Sequence, residues 1–378
     1  MNRDIINDIN DTRMASDFRG ITLSMFKKSD SIKEMRGALL GAKVEQACYW
    51  SAELICAGHY ADVWECVFLF YGKYVHITNP RIAVYLDVRL DQFETIMHNG
   101  YSTSALSARN NGKIRRMFAE IMCVLCDAKR SCSMDSIAMG PAEFDMLNLA
   151  DRLKAPSLSY GIDILTDEDP RELCVAVNEL SFHLSVDSQN LYFACYWAEW
   201  IMGYAALCKK KGEPRKCERR ATGLVDGKYQ KDVVWIIWDI FSICASNTHD
   251  PARIKLVEVA QLLFSYKYTP SCCTKRRYML YFAAEVLCGK TVDMTDEIIR
   301  KSQKANVGRV MDNIDCIYRQ IKKNEVSPNT DYLFDGSGSG SNLKNTINQL
   351  ETMSSFGDVF IPRLEETDRR GAEEEKDS

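Results

Sequence analysis

The residues best placed to meet a ligand are the cations crowded between 209 and 231. They are Lys209, Lys210, Lys211, Arg215, Lys216, Arg219, Arg220, Lys228 and Lys231, set against few acids. Such a cluster neutralises phosphates, and its hold on nucleic acid would weaken as salt competes. The first seven are the expected contacts. The competing expectation is a solvated loop whose charge keeps an exposed insertion soluble, or one covered in the free protein by the acidic C-terminal tail.

Residues that could carry out a reaction are harder to find. Cys123 and Cys126 form a CxxC, with Cys132 nearby, but the pair lies inside an apolar helical run. Zinc needs a second pair or suitably spaced histidines, and an activated thiol needs a helix start, so core packing is expected. Cys208, Cys217, Cys272 and Cys273 could make a four-thiolate metal site if the fold gathered them, though their spacing matches no usual zinc module. The histidines, His59, His76, His98, His183 and His249, are scattered, with no HExxH, no Ser-His-Asp context and no P-loop. Glu53 and Glu199 each follow an Ala-Cys-Tyr-Trp tetrapeptide in an apolar helix, where a buried carboxylate more often bonds a Tyr or Arg than does catalysis. With His59 and Tyr196 they support the one enzyme reading, a site between two halves of the chain. A non-enzyme is the expectation, with no catalytic residue, metal, cofactor or small-molecule substrate assigned.

The elements that must position these residues follow from composition and pattern. A chain of 378 residues, 46% hydrophobic and 10% aromatic, can bury one large core or two ordinary ones. A net charge of -4 exerts no overall pull towards nucleic acid or membrane, so any basic surface must be local. Fifteen cysteines, several in apolar helix-like runs, and a polar start without a signal peptide point to a reducing, intracellular compartment. The longest apolar run, Val233 to Ala245, is too short to span a bilayer and carries Asp239, so no membrane partner is expected.

Apolar residues recur at helical spacing, and no sustained period-two alternation is bounded by hairpin turns. The expected fold class is therefore all-α: helical bundles with a two-copy internal pseudo-repeat, a flexible N-terminal arm and a disordered C-terminal tail. Residues 1–30 form the arm, which can dock through Phe18 to Leu23 and Phe26. A first bundle spans 31–155 and a second 156–325, the latter interrupted by the basic insertion 209–231. Residues 326–378 are a Gly/Ser linker and an acidic tail. Val44, Ala47, Cys48, Ser51 and Ile55 share one helix face, which Gly58 ends as a cap residue would. A shorter helix is expected over Ala142–Leu153 and a polar one from Thr295 to about Asn324.

Three landmarks recur in the same order. Ala47-Cys48-Tyr49-Trp50 returns as Ala194-Cys195-Tyr196-Trp197, and Asn79-Pro80 is answered by Asp250-Pro251. The run from Arg115 to Cys126 is answered by Arg276 to Cys288. The expectation is a duplicated helical unit in which Tyr49, Trp50, Gly58 and Pro80 frame one copy and Tyr196, Trp197 and Pro251 the other, the alternative being two helical cores of similar composition that converge on similar words.

Two resemblances follow. The phrases FRGITLSMFKKSD, ACYWSAELICAGH and KDVVWIIWDI, within residues 16–290, resemble a conserved protein family of the large nucleocytoplasmic DNA viruses of algae and protists. That likeness implies a viral origin, placing the protein in host cytoplasm, virus factory, nucleus or virion, and brings no established activity. Residues 47–80 are similar to the helical collar of the replication-associated recombination AAA+ proteins, relatives of clamp loaders. Tyr49, Trp50, Ala52, Gly58 and Asn79-Pro80 occupy the places of that family's collar motif. His76 stands where the family has Gly, and the ATPase module is missing. The likeness implies helix packing and self-association, not ATP hydrolysis. The expected function is a helical scaffold or adaptor, an accessory of viral replication, repair or transcription whose basic loop contacts nucleic acid. The alternative is a virion or virus-factory structural protein with protein partners.

Overall fold

The computed structural model describes residues 7–220, 225–290 and 294–328. The expected Gly/Ser linker and acidic tail lie outside the described residues. The fold is all-α, with no named strand among the described residues. The first five helices are α1 (Lys28–Leu40), α2 (Val44–Cys56), α3 (Tyr60–Tyr74), α4 (Arg81–Gly100) and α5 (Gly112–Asp127). After a one-turn helix, α6 (Met146–Leu149), five more follow in the second half. These are α7 (Cys174–Leu184), α8 (Leu191–Lys210), α9 (Val234–Asn247), α10 (Pro251–Ser265) and α11 (Arg277–Cys288). A last helix, α12 (Lys304–Lys322), ends the chain of elements.

Local chemistry sets the helix boundaries. α2 buries Ala47, Cys48, Ser51 and Ile55 on the face that the spacing predicts. It stops because Gly58 takes φ +79° and donates its N–H to the Ile55 carbonyl, while His59 donates to Leu54. Pro80 precedes the first turn of α4, and Pro251 opens α10 behind Asp250, whose carboxylate accepts the Ala252 N–H at 2.9 Å. Two expectations change. Ala142–Leu153 is not one helix but a series of short turns broken around Asp145. The polar helix begins at Lys304, its lead-in lacking continuous helix.

Most helix pairings recur in the two sets of five, while α9 also packs on α10 and α11 more extensively than α3 does on α4 and α5. α1 lies on α2, α3 and α5, and α2 on α3 and α5; likewise α7 lies on α8, α9 and α11, and α8 on α9 and α11. The sets meet where α4 packs on α10 and α3 on α11. Gly72 allows that second approach, since a Cβ there would stand 3.1 Å from Met279 and 3.2 Å from Tyr278 side-chain atoms. α12 returns to the first set, resting on α2 and α5 through Val307, Ile314, Tyr318 and Ile321. Among the described residues, those of 13–326 belong to one compact unit, whereas Asn10–Thr12 group with Ser327 and Pro328.

The segment expected to be a loosely held arm docks through part of the apolar set anticipated for it, Phe26 remaining 42% exposed. Phe18 and Leu23 are fully buried. The Ser24 hydroxyl and amide donate to the Glu53 carboxylate at 2.5 and 3.3 Å, and His59 Nε2 lies 2.7 Å from the Ile21 carbonyl.

Candidate nucleic-acid interface

α8 runs from a buried aromatic stretch into Lys209 and Lys210, cations that suit the negative end of the helix dipole. Lys211 caps it and Gly212, at φ +84°, turns the chain away. Lys209, Lys210 and Lys211 are exposed and form no ion pair among the described residues. Beyond Gly212 the described residues of the insertion include one 3-10 turn, Gly227–Tyr229, and pair across the loop: Cys217 N–H donates to the Lys231 carbonyl and Arg220 N–H to the Gln230 carbonyl, both at 3.0 Å.

Arg220 anchors this loop. Its guanidinium holds both oxygens of Asp169, at 2.8 and 2.7 Å, while its Nε donates to Asp239 on α9. Asp169 also accepts the Glu218 and Thr166 N–H groups at 2.9 and 3.0 Å. Burial alone would raise the Asp169 carboxyl, but the Arg220 and backbone hydrogen bonds outweigh it and hold the pKa down at about 2. Burial raises Asp239, against the pull of Arg220. Around this lock four more of the insertion's cations are engaged. Arg219 donates to Gln230 at 2.6 Å, Arg215 pairs with Glu172 at 3.0 Å, and Lys216 and Lys228 pair with Asp232 and Asp226.

The seven anticipated contact residues thus divide. Lys209, Lys210 and Lys211 are free, Arg219 and Lys216 are exposed but engaged, and Arg215 and Arg220 hold the loop to the body. Asp169 and Asp239 hold Arg220, and Glu172 holds Arg215. One signal in the sequence could have found Asp239, a lone carboxylate inside the most apolar helical run. Asp169 reads locally as a helix-start acid and gives no sign of its distant partner.

Beside the end of α8 lies a pocket of about 280 Å³. Met202 and Ala206 of α8 and Pro270 after α10 supply apolar wall, and Lys209 and Lys216 also line it. Asp232 completes it, its carboxylate accepting from Lys216 Nζ at 2.8 Å and from the Tyr268 hydroxyl at 3.2 Å.

The residues of the enzyme reading are dispersed among separate partners. Glu53 and His59 hold the N-terminal segment. The Tyr196 hydroxyl donates to Glu143 at 2.6 Å, and Glu199 accepts from Tyr281 at 2.9 Å beside Arg277. The pocket at α8 contains none of them. The shared tetrapeptide occupies two environments: Tyr196 and Trp197 are fully buried, whereas Tyr49 and Trp50 are half-buried, with Trp50 edge-on to Phe26 at 5.4 Å. Among the cysteines, Cys123 and Cys126 are buried in α5, with burial pushing Cys126 up to about 12. Cys217 donates to the Asp232 carbonyl and Cys273 to Met202, and no three His, Cys, Asp or Glu side chains gather as a metal site among the described residues. No described helix is long and apolar enough to cross a membrane.

No protein-family model matches the chain, and no curated protein and no solved structure matches it either.

Proposed function

We propose that this chain is a non-enzymatic helical scaffold of a large DNA virus, contacting nucleic acid through the basic surface where α8 meets the insertion. The viral attribution is carried by the sequence resemblance. The contact is carried by one observation: Lys209–Lys211 form no ion pair among the described residues, while the insertion's inward arginine is taken up by Asp169 and Asp239. Free lysines on a fixed mount act as phosphate contacts without first being released from acids. Matching helix order and recurring helix pairings in the two halves support reading them as duplicated units, with the insertion added to the second alone.

The test is fluorescence anisotropy of a labelled oligonucleotide over a range of salt, with the wild type and a Lys209→Glu, Lys210→Glu, Lys211→Glu variant. Binding should fall linearly on a log–log plot. The variant should lose most affinity and flatten the slope by about two to three. Equal binding by the two proteins, or none at low salt, would overturn the reading.

A second reading, contact with protein or with another copy, draws on a different face. Met25 and Phe26 are 56% and 42% exposed beside the half-buried Trp50. Light scattering showing only monomer at micromolar concentration would count against self-association there.

A further inference from the structure

We propose that the pocket beside the end of α8 holds one nucleotide, with its base inside and its phosphate at the Lys209–Lys216 rim. The proposal deepens the nucleic-acid reading and rests on it for the source of the nucleotide. Ligand pockets usually run to roughly 300–1,000 Å³. A volume of about 280 Å³ suits a single base more than a drug-sized molecule.

The pocket's chemistry fixes which end of the ligand enters. Met202, Ala206 and Pro270 offer apolar surface to the faces of a flat ring. Asp232 is the acceptor, and each of its oxygens already takes one hydrogen bond, from Lys216 or from Tyr268. A carboxylate oxygen has a further lone pair, so each can accept once more. A ring carrying amino or imino N–H groups satisfies that demand, whereas a plain hydrocarbon leaves it unmet. The same carboxylate repels an anion, so a phosphate settles away from it on the cationic side formed by Lys209, Arg215 and half-exposed Lys216, of which Lys209 has no ion-pair partner among the described residues. Base in and phosphate out is the polarity of a nucleotide. A base free of a helical stack can turn into such a pocket, whereas one in a duplex must first be unstacked, so single strands are preferred.

The experiment uses the full chain and three probes: a labelled single strand, the same strand with abasic positions, and free mononucleotides followed by ligand-observed NMR. Ala206→Trp fills the pocket from an exposed helix position, leaving the lysines in place. The abasic strand tests the same point with no change to the protein. Intact strand should bind about tenfold more tightly than abasic strand, and Ala206→Trp should remove that difference. Mononucleotides that bind the wild type but not Ala206→Trp, with no strand bound, would support the pocket and overturn the nucleic-acid reading. Equal affinity for intact and abasic strands, with no mononucleotide bound, would overturn the pocket and leave the lysine surface standing. Failure of every probe to bind would overturn both.

Discussion

Replacing Arg220 with methionine should release the insertion from the body. The substitution keeps a long apolar stem but leaves Asp169, 5% exposed, with the Thr166 and Glu218 N–H groups and the Thr166 hydroxyl as its remaining donors. Removing one partner of a buried pair costs about 3–5 kcal/mol, because the remaining charge is buried and unpaired. The Asp239 arm is worth less, since that carboxylate is 38% exposed in its side chain and solvent screens it. Asp169's backbone donors survive, so the lower end applies, about 3 kcal/mol. The pKa leads to the same scale: holding the carboxyl at about 2 instead of 3.8 corresponds to about 2 kcal/mol.

The pH dependence gives the sign. Because the folded-state pKa is depressed, the pair stabilises fully above about pH 4 and the contribution disappears as pH falls towards 2. Asp239 is raised and acts in the opposite sense. Urea unfolding at neutral pH should show a lower midpoint for Arg220→Met at unchanged slope. Pepsin cleavage within 209–231 should separate the two proteins near pH 4 and converge near pH 2. Asp169→Asn in the Arg220→Met background should recover part of the loss by removing the stranded charge. A single variant within about 0.5 kcal/mol of wild type, or a difference undiminished at pH 2, would refute the lock.

Three further outcomes follow from the packing and protonation. Gly72→Val should cost about 1–3 kcal/mol in thermal unfolding, because the new side chain meets Met279 and Tyr278 where α3 approaches α11. Tyr318→Ala should cost about 3–5 kcal/mol and expose α12 to proteolysis, since the ring is fully buried beneath the Arg115 guanidinium. His183, held down at about 4 by burial and by Lys154, should make stability fall as pH drops from 6.5 towards 4, and His183→Phe should flatten that part of the curve.

Helix positions were legible in the sequence where the signal was local. Gly58 takes the positive φ that ends α2, and Pro251 with Asp250 opens α10, both within one turn of their effect. Helical periodicity survives whatever lies opposite, so α2, α8 and α9 could be read from their own residues. What packs on a helix is a different matter. Tyr49-Trp50 and Tyr196-Trp197 share a tetrapeptide, yet one pair is half-buried beside Phe26 and the other sealed, because neighbours from elsewhere in the chain decide exposure. The docking of α12 on α2 and α5 is equally invisible to any short window.

The same distinction governs the basic insertion. Counting charges treats its cations as equivalent, while the fold sorts them by which acids they meet. Arg220 finds Asp169 51 residues earlier and Asp239 19 later, so it serves as an anchor. Lys209–Lys211, at the end of α8, form no ion pair among the described residues and remain free to attract phosphate. A basic run is therefore not a uniform binding surface. Charge reversal at Arg220 would reduce binding by disordering the loop and would alter stability with it. Replacing Lys209–Lys211 with glutamine would reduce binding at a smaller cost in stability, the loss of helix-dipole contributions of about 0.3–1 kcal/mol for a charge in the last turn. Comparing both quantities for the two variants separates a contact residue from its support, which a binding assay alone would merge.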